Sequence, residues 1–282
     1  MAGLRRAREA IRRQWRRAFV WLFVIGFLAV AAGLLYFGTP FHGSQASVQA
    51  VQANDDVTVH ESGGTYVLEP AGGDTETGLV FYPGARVAPD AYLSSLAPVV
   101  SEANVAVVVP RMPFNLAVLD QGAAGRVIDR RDDIERWYIG GHSLGGAMAC
   151  RYARSNPDRL EGVVLFGAYC DRSVDGTGLR VLSVAGEADT VLNQEAYRRN
   201  LANLPEDATV RTLPGVNHTQ FGSYTGQSGD EPSGTTYETA HRRLANVTVP
   251  WLTTFSRSGS PTANLSRQKH GEKGWTSLHS VQ

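Results

Sequence analysis

The residues best suited to chemistry are Gly141-His142-Ser143-Leu144-Gly145, which follow the apolar run Trp137-Tyr138-Ile139-Gly140 and precede a helix-forming stretch. A serine hydroxyl is a weak nucleophile unless the backbone presents it at a sharp strand-to-helix turn. There glycines relieve crowding and the helix N-terminus favours developing negative charge. The chemistry such a turn supports is acyl transfer through Ser143. Gly146, Ala147 and Ala149 are small enough for the following helix to lie close to a sheet. The pattern fixes only three positions in a chain with 30 glycines, so a glycine-rich turn whose serine merely caps the helix is the competing reading.

A serine nucleophile needs a base within hydrogen-bond reach and a carboxylate to orient that base, in the chain order serine, acid, histidine for this layout. Val181–Ala185 reads as a strand ending in Gly186-Glu187-Ala188-Asp189, which puts Asp189 at the sheet edge where Ser143 emerges. Asp189 is the expected acid, with Glu187 as the alternative and helix capping from 191 as the competing role for Asp189. Of seven histidines, His218 follows the last strand, in Leu213-Pro214-Gly215-Val216-Asn217-His218, and is the expected base. Activity should rise as His218 becomes neutral. The negatively charged intermediate requires backbone N–H donors, for which Leu144 and Ala85, in Tyr82-Pro83-Gly84-Ala85, are the candidates. Pro83 has no N–H to give. Arg111 and the nearby Asn115, after the strand Val105–Val109, lie at the same edge and are candidates to contact an anionic substrate. No metal or cofactor is needed for this chemistry.

These residues must be held by a sheet. Short β-branched runs at Thr65–Leu68, Leu79–Tyr82, Val105–Val109, Tyr138–Gly140, Gly162–Phe166, Val181–Ala185 and Thr209–Leu213 alternate with helical patterns at 89–102, 117–136, 144–155, 191–203 and 237–256. That alternation predicts an α/β fold with a mostly parallel sheet covered by helices on both faces.

On the elbow and the order Ser143, Asp189, His218, the chain resembles the α/β-hydrolase superfamily, within it the lidless dienelactone-hydrolase-like and small esterase branch, over about residues 78–256. Phe81-Tyr82-Pro83-Gly84-Ala85 and His218-Thr219-Gln220-Phe221-Gly222 are similar to segments of membrane-anchored bacterial members. The resemblance implies an α/β-hydrolase fold and a serine hydrolase of carboxylic esters. Two departures stand out: Pro83-Gly84 replaces the His-Gly common in lipases and esterases, and Ser143 stands where dienelactone hydrolases have cysteine. The interval Asp171–Leu179 leaves no room for the cap domain of many members, so an open site for small or exposed acyl groups is expected. A catalytically silent binding domain and an acyltransferase are the alternatives on the same scaffold.

Residues 1–17 hold seven arginines and one glutamate, leaving 20 basic and 26 acidic side chains elsewhere, a net of −6. A body of that sign offers no stripe for phosphates, so nucleic acid is not an expected partner. The 21 residues Ala18–Gly38 carry no charge and are long enough to cross a hydrocarbon layer of about 30 Å. The reading is a basic cytoplasmic segment (1–17), a transmembrane anchor (18–38), a flexible linker (39–55), an extracytoplasmic hydrolase domain (56–256) and a disordered tail (257–282). A cleaved signal peptide ending near Val48-Gln49-Ala50 competes, although its apolar core would be shorter. Cys150 and Cys170 are expected as buried thiols rather than a bridge. The sequon at Asn217 is expected to be unmodified, because a glycan there would block the site.

Overall fold

The computed structural model describes residues 2–256; the tail expected at 257–282 lies outside them. Eight strands form one sheet: β1 (Val57–Ser62), β2 (Thr65–Pro70), β3 (Thr77–Tyr82), β4 (Ala106–Val109), β5 (Arg136–His142), β6 (Gly162–Phe166), β7 (Arg180–Gly186) and β8 (Thr209–Leu213), in the spatial order β1-β2-β4-β3-β5-β6-β7-β8. From β4 to β8 every pairing is parallel, whereas the β1–β2 hairpin adds an antiparallel edge. The expected parallel sheet is therefore observed, with β1 as a strand that the sequence did not signal.

Strands buried on both faces carry two alternating apolar sets. Leu79, Phe81, Tyr138, Val164 and Phe166 belong to the core beneath α3 (Leu93–Ala103) and α7 (Tyr237–Ser256). Val80, Tyr82, Ile139, Val163 and Leu165 belong to the opposite core, with Ala123 and Ala124 of α4 (Ala123–Ile128) and Met148, Ala149 and Tyr152 of α5 (Leu144–Ser155). Helix α6 (Gln194–Asn200) closes the β8 end, where its Tyr197 bonds Ser183 at 3.0 Å. The helix expected at 117–136 is broken: only a short 3-10 turn at Ala117–Leu119 and α4 are helical.

Helix α1 spans Ala2–Gly38, of which Gln14–Gly38 is long and apolar enough to cross a membrane. The segment expected as a flexible linker at 39–55 is instead docked on the domain. It contains α2 (Gln45–Gln52), capped by Ser44, whose backbone N–H donates to the Ser223 carbonyl at 3.0 Å. Just before it, Phe41 pairs with Val87 in a parallel bridge and stacks on Tyr224 at 5.6 Å between ring centroids. Val51 is buried in the core.

Cys150 of α5 and Cys170, after β6, form a disulfide with Cα atoms 5.4 Å apart, correcting the expectation of free thiols. Composition alone hid this, because the pairing depends on α5 packing over the end of β6.

Candidate active site

Ser143 occupies the turn between β5 and α5 with φ 53° and ψ −123°, a conformation that side chains resist at a cost of about 1–3 kcal/mol. Two glycines make that turn possible. A Cβ on Gly145 would stand 2.2 Å from the Tyr82 carbonyl oxygen, and one on Gly146 would stand 2.5 Å from the Ala168 methyl. The Ser143 N–H donates to the Phe166 carbonyl at 3.0 Å, which ties the turn to β6. Ser143 itself stays half-buried at the floor of a cleft.

His218 borders the same cleft. It sits in the loop after β8, held from both sides. Asp230 accepts the N–H of His218 at 3.0 Å and that of Thr219 at 2.9 Å, one carboxylate oxygen to each. Three residues on, Phe221 is fully buried, its ring 5.9 Å from that of Phe166 and 5.6 Å from that of His142. Burying one such ring contributes about 1.5–3 kcal/mol, enough to fix the loop that carries His218.

Asp189, in the turn after β7, completes the arrangement. Its Oδ2 lies 2.8 Å from His218 Nδ1, while its Oδ1 accepts the N–H groups of Val191 at 3.0 Å and Leu192 at 2.8 Å. One oxygen thus orients the imidazole and the other closes the turn ahead of α6, whose cap is Asn193 rather than Asp189. Glu187 is used elsewhere: its Oε2 accepts the Gly215 N–H at 2.9 Å. With Nδ1 donating to Asp189, the opposite nitrogen of His218, Nε2, is buried and makes no hydrogen bond among the described residues. A neutral imidazole in this tautomer has an available lone pair at Nε2.

The N–H groups of Leu144 and Ala85 donate to no other group among the described residues; Leu144 lines the cleft, whereas Ala85 stands outside its lining. Gly84, beside Ala85, is engaged: its N–H donates to the Tyr92 hydroxyl at 2.8 Å. That hydroxyl in turn lies 3.0 Å from His142 Nδ1, so it accepts from Gly84 and donates to His142. Burial holds the His142 ring well below the ordinary histidine pKa, helped by the neighbouring His218 ring 4.3 Å away between centroids. His142 is consequently a neutral strut between the elbow and the Pro83-Gly84-Ala85 loop. Sequence reading placed His142 beside the serine but gave no sign of Tyr92, which is 50 residues away.

Two predicted contacts fall elsewhere. Arg111 lies across the β1–β2 turn, where a Cβ on Gly64 would meet its Cδ at 2.8 Å, and it does not line the cleft. Asn115 is engaged too: its Nδ2 donates to the Phe37 carbonyl at 2.9 Å, and its own carbonyl accepts the Arg86 N–H at 2.9 Å. The cation in the cleft is Arg151, paired with Asp171 through two donors, at 3.1 Å and 2.6 Å for the closest contacts. The rest of the lining is mostly small or aliphatic, including Leu144, Ala147, Met148, Ala168 and Leu192, around about 390 Å³. Asn217 is buried and donates to the Glu231 carbonyl at 2.9 Å, so its amide is unavailable for a glycan.

Among the described residues no cluster of metal-ligating side chains occurs. The description "Alpha/beta hydrolase family" matches residues 78–242. No curated protein matches the chain. Similar solved structures include a putative lipase from Acinetobacter baumannii AYE (TM-score 0.55, 12% identity, 76% of this chain and 97% of that one). A hyperthermophilic esterase from the archaeon Pyrobaculum calidifontis aligns with TM-score 0.52 and 16% identity over 75% of this chain and 90% of its own. Est1E from Butyrivibrio proteoclasticus gives TM-score 0.51 and 13% identity over 72% and 98%. At these identities the likeness is one of fold.

Proposed function

Since the chain belongs to the alpha/beta hydrolase family, we propose that it is a membrane-anchored serine hydrolase of carboxylic esters that acts through Ser143, His218 and Asp189. The observation carrying this reading is the state of one imidazole: Nδ1 held at 2.8 Å by Asp189, and Nε2 left without a partner beside the cleft that Ser143 also borders. Ser143 Oγ attacks the ester carbonyl carbon as its proton passes to His218 Nε2. The carbonyl oxygen becomes an oxyanion held by the Leu144 and Ala85 N–H groups. Collapse breaks the bond to the alkoxy oxygen, which leaves as alcohol with the proton from His218. Water, deprotonated by the same nitrogen, then attacks the acyl-serine, and Ser143 leaves with the proton returned. Asp189 keeps the imidazole in the working tautomer throughout.

The cleft favours small acyl groups. Its aliphatic wall is short, and no helix separates β6 from β7 to act as a cap among the described residues. The names lipase and esterase printed for two structural neighbours agree with an ester as substrate. The exposed apolar part of α1, with the arginine-rich stretch at the N-terminal end of the same helix, supports a bilayer anchor with the basic end cytoplasmic. The Cys150–Cys170 bridge supports an oxidising compartment for the domain.

The test is hydrolysis of p-nitrophenyl acetate and butyrate by the detergent-solubilised full chain. Loss of turnover by on the order of 10³-fold or more in both Ser143→Ala and His218→Ala is expected. Wild-type rates equal to either variant would replace the enzyme reading with a silent binding domain, and product esters formed in preference to acid when alcohol is added would make it an acyltransferase.

A further inference from the structure

The loop after β4 carries three large apolar side chains facing solvent: Phe114 at 52%, Val118 at 41% and Leu119 at 56% exposure. Exposed apolar groups grouped in one loop mark an interaction surface more often than scattered ones do. Their placement relative to α1 identifies the partner. Asn115 donates its side-chain N–H to the carbonyl of Phe37, one residue before the apolar span ends at Gly38. Arg86, bonded through its N–H to the Asn115 carbonyl, lays its guanidinium 3.6 Å over the Tyr36 ring and donates to the Thr39 carbonyl at 3.2 Å. The loop therefore lies level with the outer end of the span, where an anchored α1 meets the interface between hydrocarbon and headgroups.

The backbone is set to turn the apolar groups outward. Phe114 and Asn115 both have positive φ, 50° and 56°, a conformation costly for a phenylalanine that persists only when neighbouring contacts impose it. Here Asn115 imposes it, through its bonds to Phe37 and Arg86.

From these contacts we propose that the 113–119 loop is a second membrane contact, with Phe114, Val118 and Leu119 seated in the interface of the bilayer that α1 crosses. This rests on the reading of α1 as an anchor. Because Asn115 also holds Arg86, next to Ala85, a seated loop fixes the oxyanion side of the cleft at a set height above the membrane.

The experiment uses the full chain in phosphatidylcholine vesicles, with single cysteines added at Phe114→Cys, Val118→Cys and Leu119→Cys and labelled with an NBD maleimide. Both native cysteines are bridged, so labelling is specific. Leu28→Cys, within the span, reports on the anchor, and Asp74→Cys, before β3 at the opposite sheet edge, reports on solvent. Vesicles carry a nitroxide either at the headgroup or near the acyl terminus. Headgroup nitroxide should quench the three loop positions at least about twofold more than position 74, as an interfacial depth requires, while acyl-terminal nitroxide quenches position 28. Quenching at 28 with none at the loop positions overturns the proposal and leaves the anchor standing. No quenching at 28 removes the anchor reading and the proposal with it.

Discussion

Asp189→Asn isolates the orienting role from every other. Oδ1 of Asp189 accepts two backbone N–H groups, from Val191 and Leu192, and Oδ2 faces His218 Nδ1. An asparagine must keep its oxygen on the two donors, because turning its NH₂ toward them would set donor against donor at a buried amide, Leu192, and a partly buried one, Val191, at a cost of about 1–3 kcal/mol for the buried group left unpaired. The NH₂ group then points at His218 Nδ1, which becomes the acceptor, and the ring proton moves to Nε2. A protonated Nε2 cannot take the Ser143 proton. The shape of the side chain is unchanged, so stability should move little, while kcat should fall by on the order of 10³–10⁴-fold from the wrong tautomer alone. The assay is steady-state hydrolysis of p-nitrophenyl butyrate with thermal unfolding in parallel. A variant retaining more than about a tenth of the wild-type kcat with an unchanged melting temperature would refute the argument, because geometry would be intact and the tautomer irrelevant.

Four further outcomes follow from the same structure. Tyr92→Phe removes the partner of Gly84 N–H and of His142 Nδ1, both buried, and should cost about 2–4 kcal/mol, or roughly 4–16 °C in melting temperature for a domain of this size. Its kcat should drop with KM little changed, since the Ala85 donor is loosened; equal kinetics and stability would show that the strut is idle. Cys150→Ser, which opens a bridge across a separation of 20 residues, should lose about 3 kcal/mol in denaturant titration, as should reductant added to the wild type. His142 and His241 are both held below the ordinary histidine pKa by burial, so the unfolded chain takes up protons that the folded one refuses. Stability is therefore full above about pH 6.5 and falls as pH drops below it, by up to about 1.4 kcal/mol per pH unit for each ring; urea titrations at stepped pH, with His241→Gln as the flatter control, read this directly. Gly145→Ala forces a methyl toward the Tyr82 and Pro83 carbonyls and should cost about 1–3 kcal/mol with loss of turnover, checked by melting and ester hydrolysis together.

The parallel sheet and the order of its strands with helices between them were legible because a strand buried on both faces is a nearly continuous apolar run, as Gly162–Phe166 is throughout and Val181–Ala185 is but for Ser183. Ser143, Asp189 and His218 were legible as candidates because each sits just past a strand end, where the topology gathers loops at one edge. What stayed hidden depends on contacts between distant segments. The Cys150–Cys170 bridge arises from helix-to-sheet packing, and the Tyr92 strut reaches across 50 residues to His142. Residues 39–55 read as a linker because their composition is polar and small. Their docking rests on backbone bonds from Phe41 and Ser44 that leave no trace in composition. Arg111 and Asn115 follow β4 at the expected edge, but β4 lies beyond β3 from the elbow, so their loop serves α1 and Arg86, while Arg151 supplies the cation in the cleft. The helical pattern at 117–136 overran because its apolar spacing continues through a loop that carries Val118 and Leu119 outward.

The central claim is that one serine, strained into its turn at residue 143, is a nucleophile. The most direct measurement is a fluorophosphonate reaction with the folded full chain, followed by peptide mass spectrometry. A single adduct on the peptide bearing Ser143, absent from Ser143→Ala and slowed in His218→Ala, is the result expected. An adduct on another residue, or none on protein whose fold is intact, would contradict it.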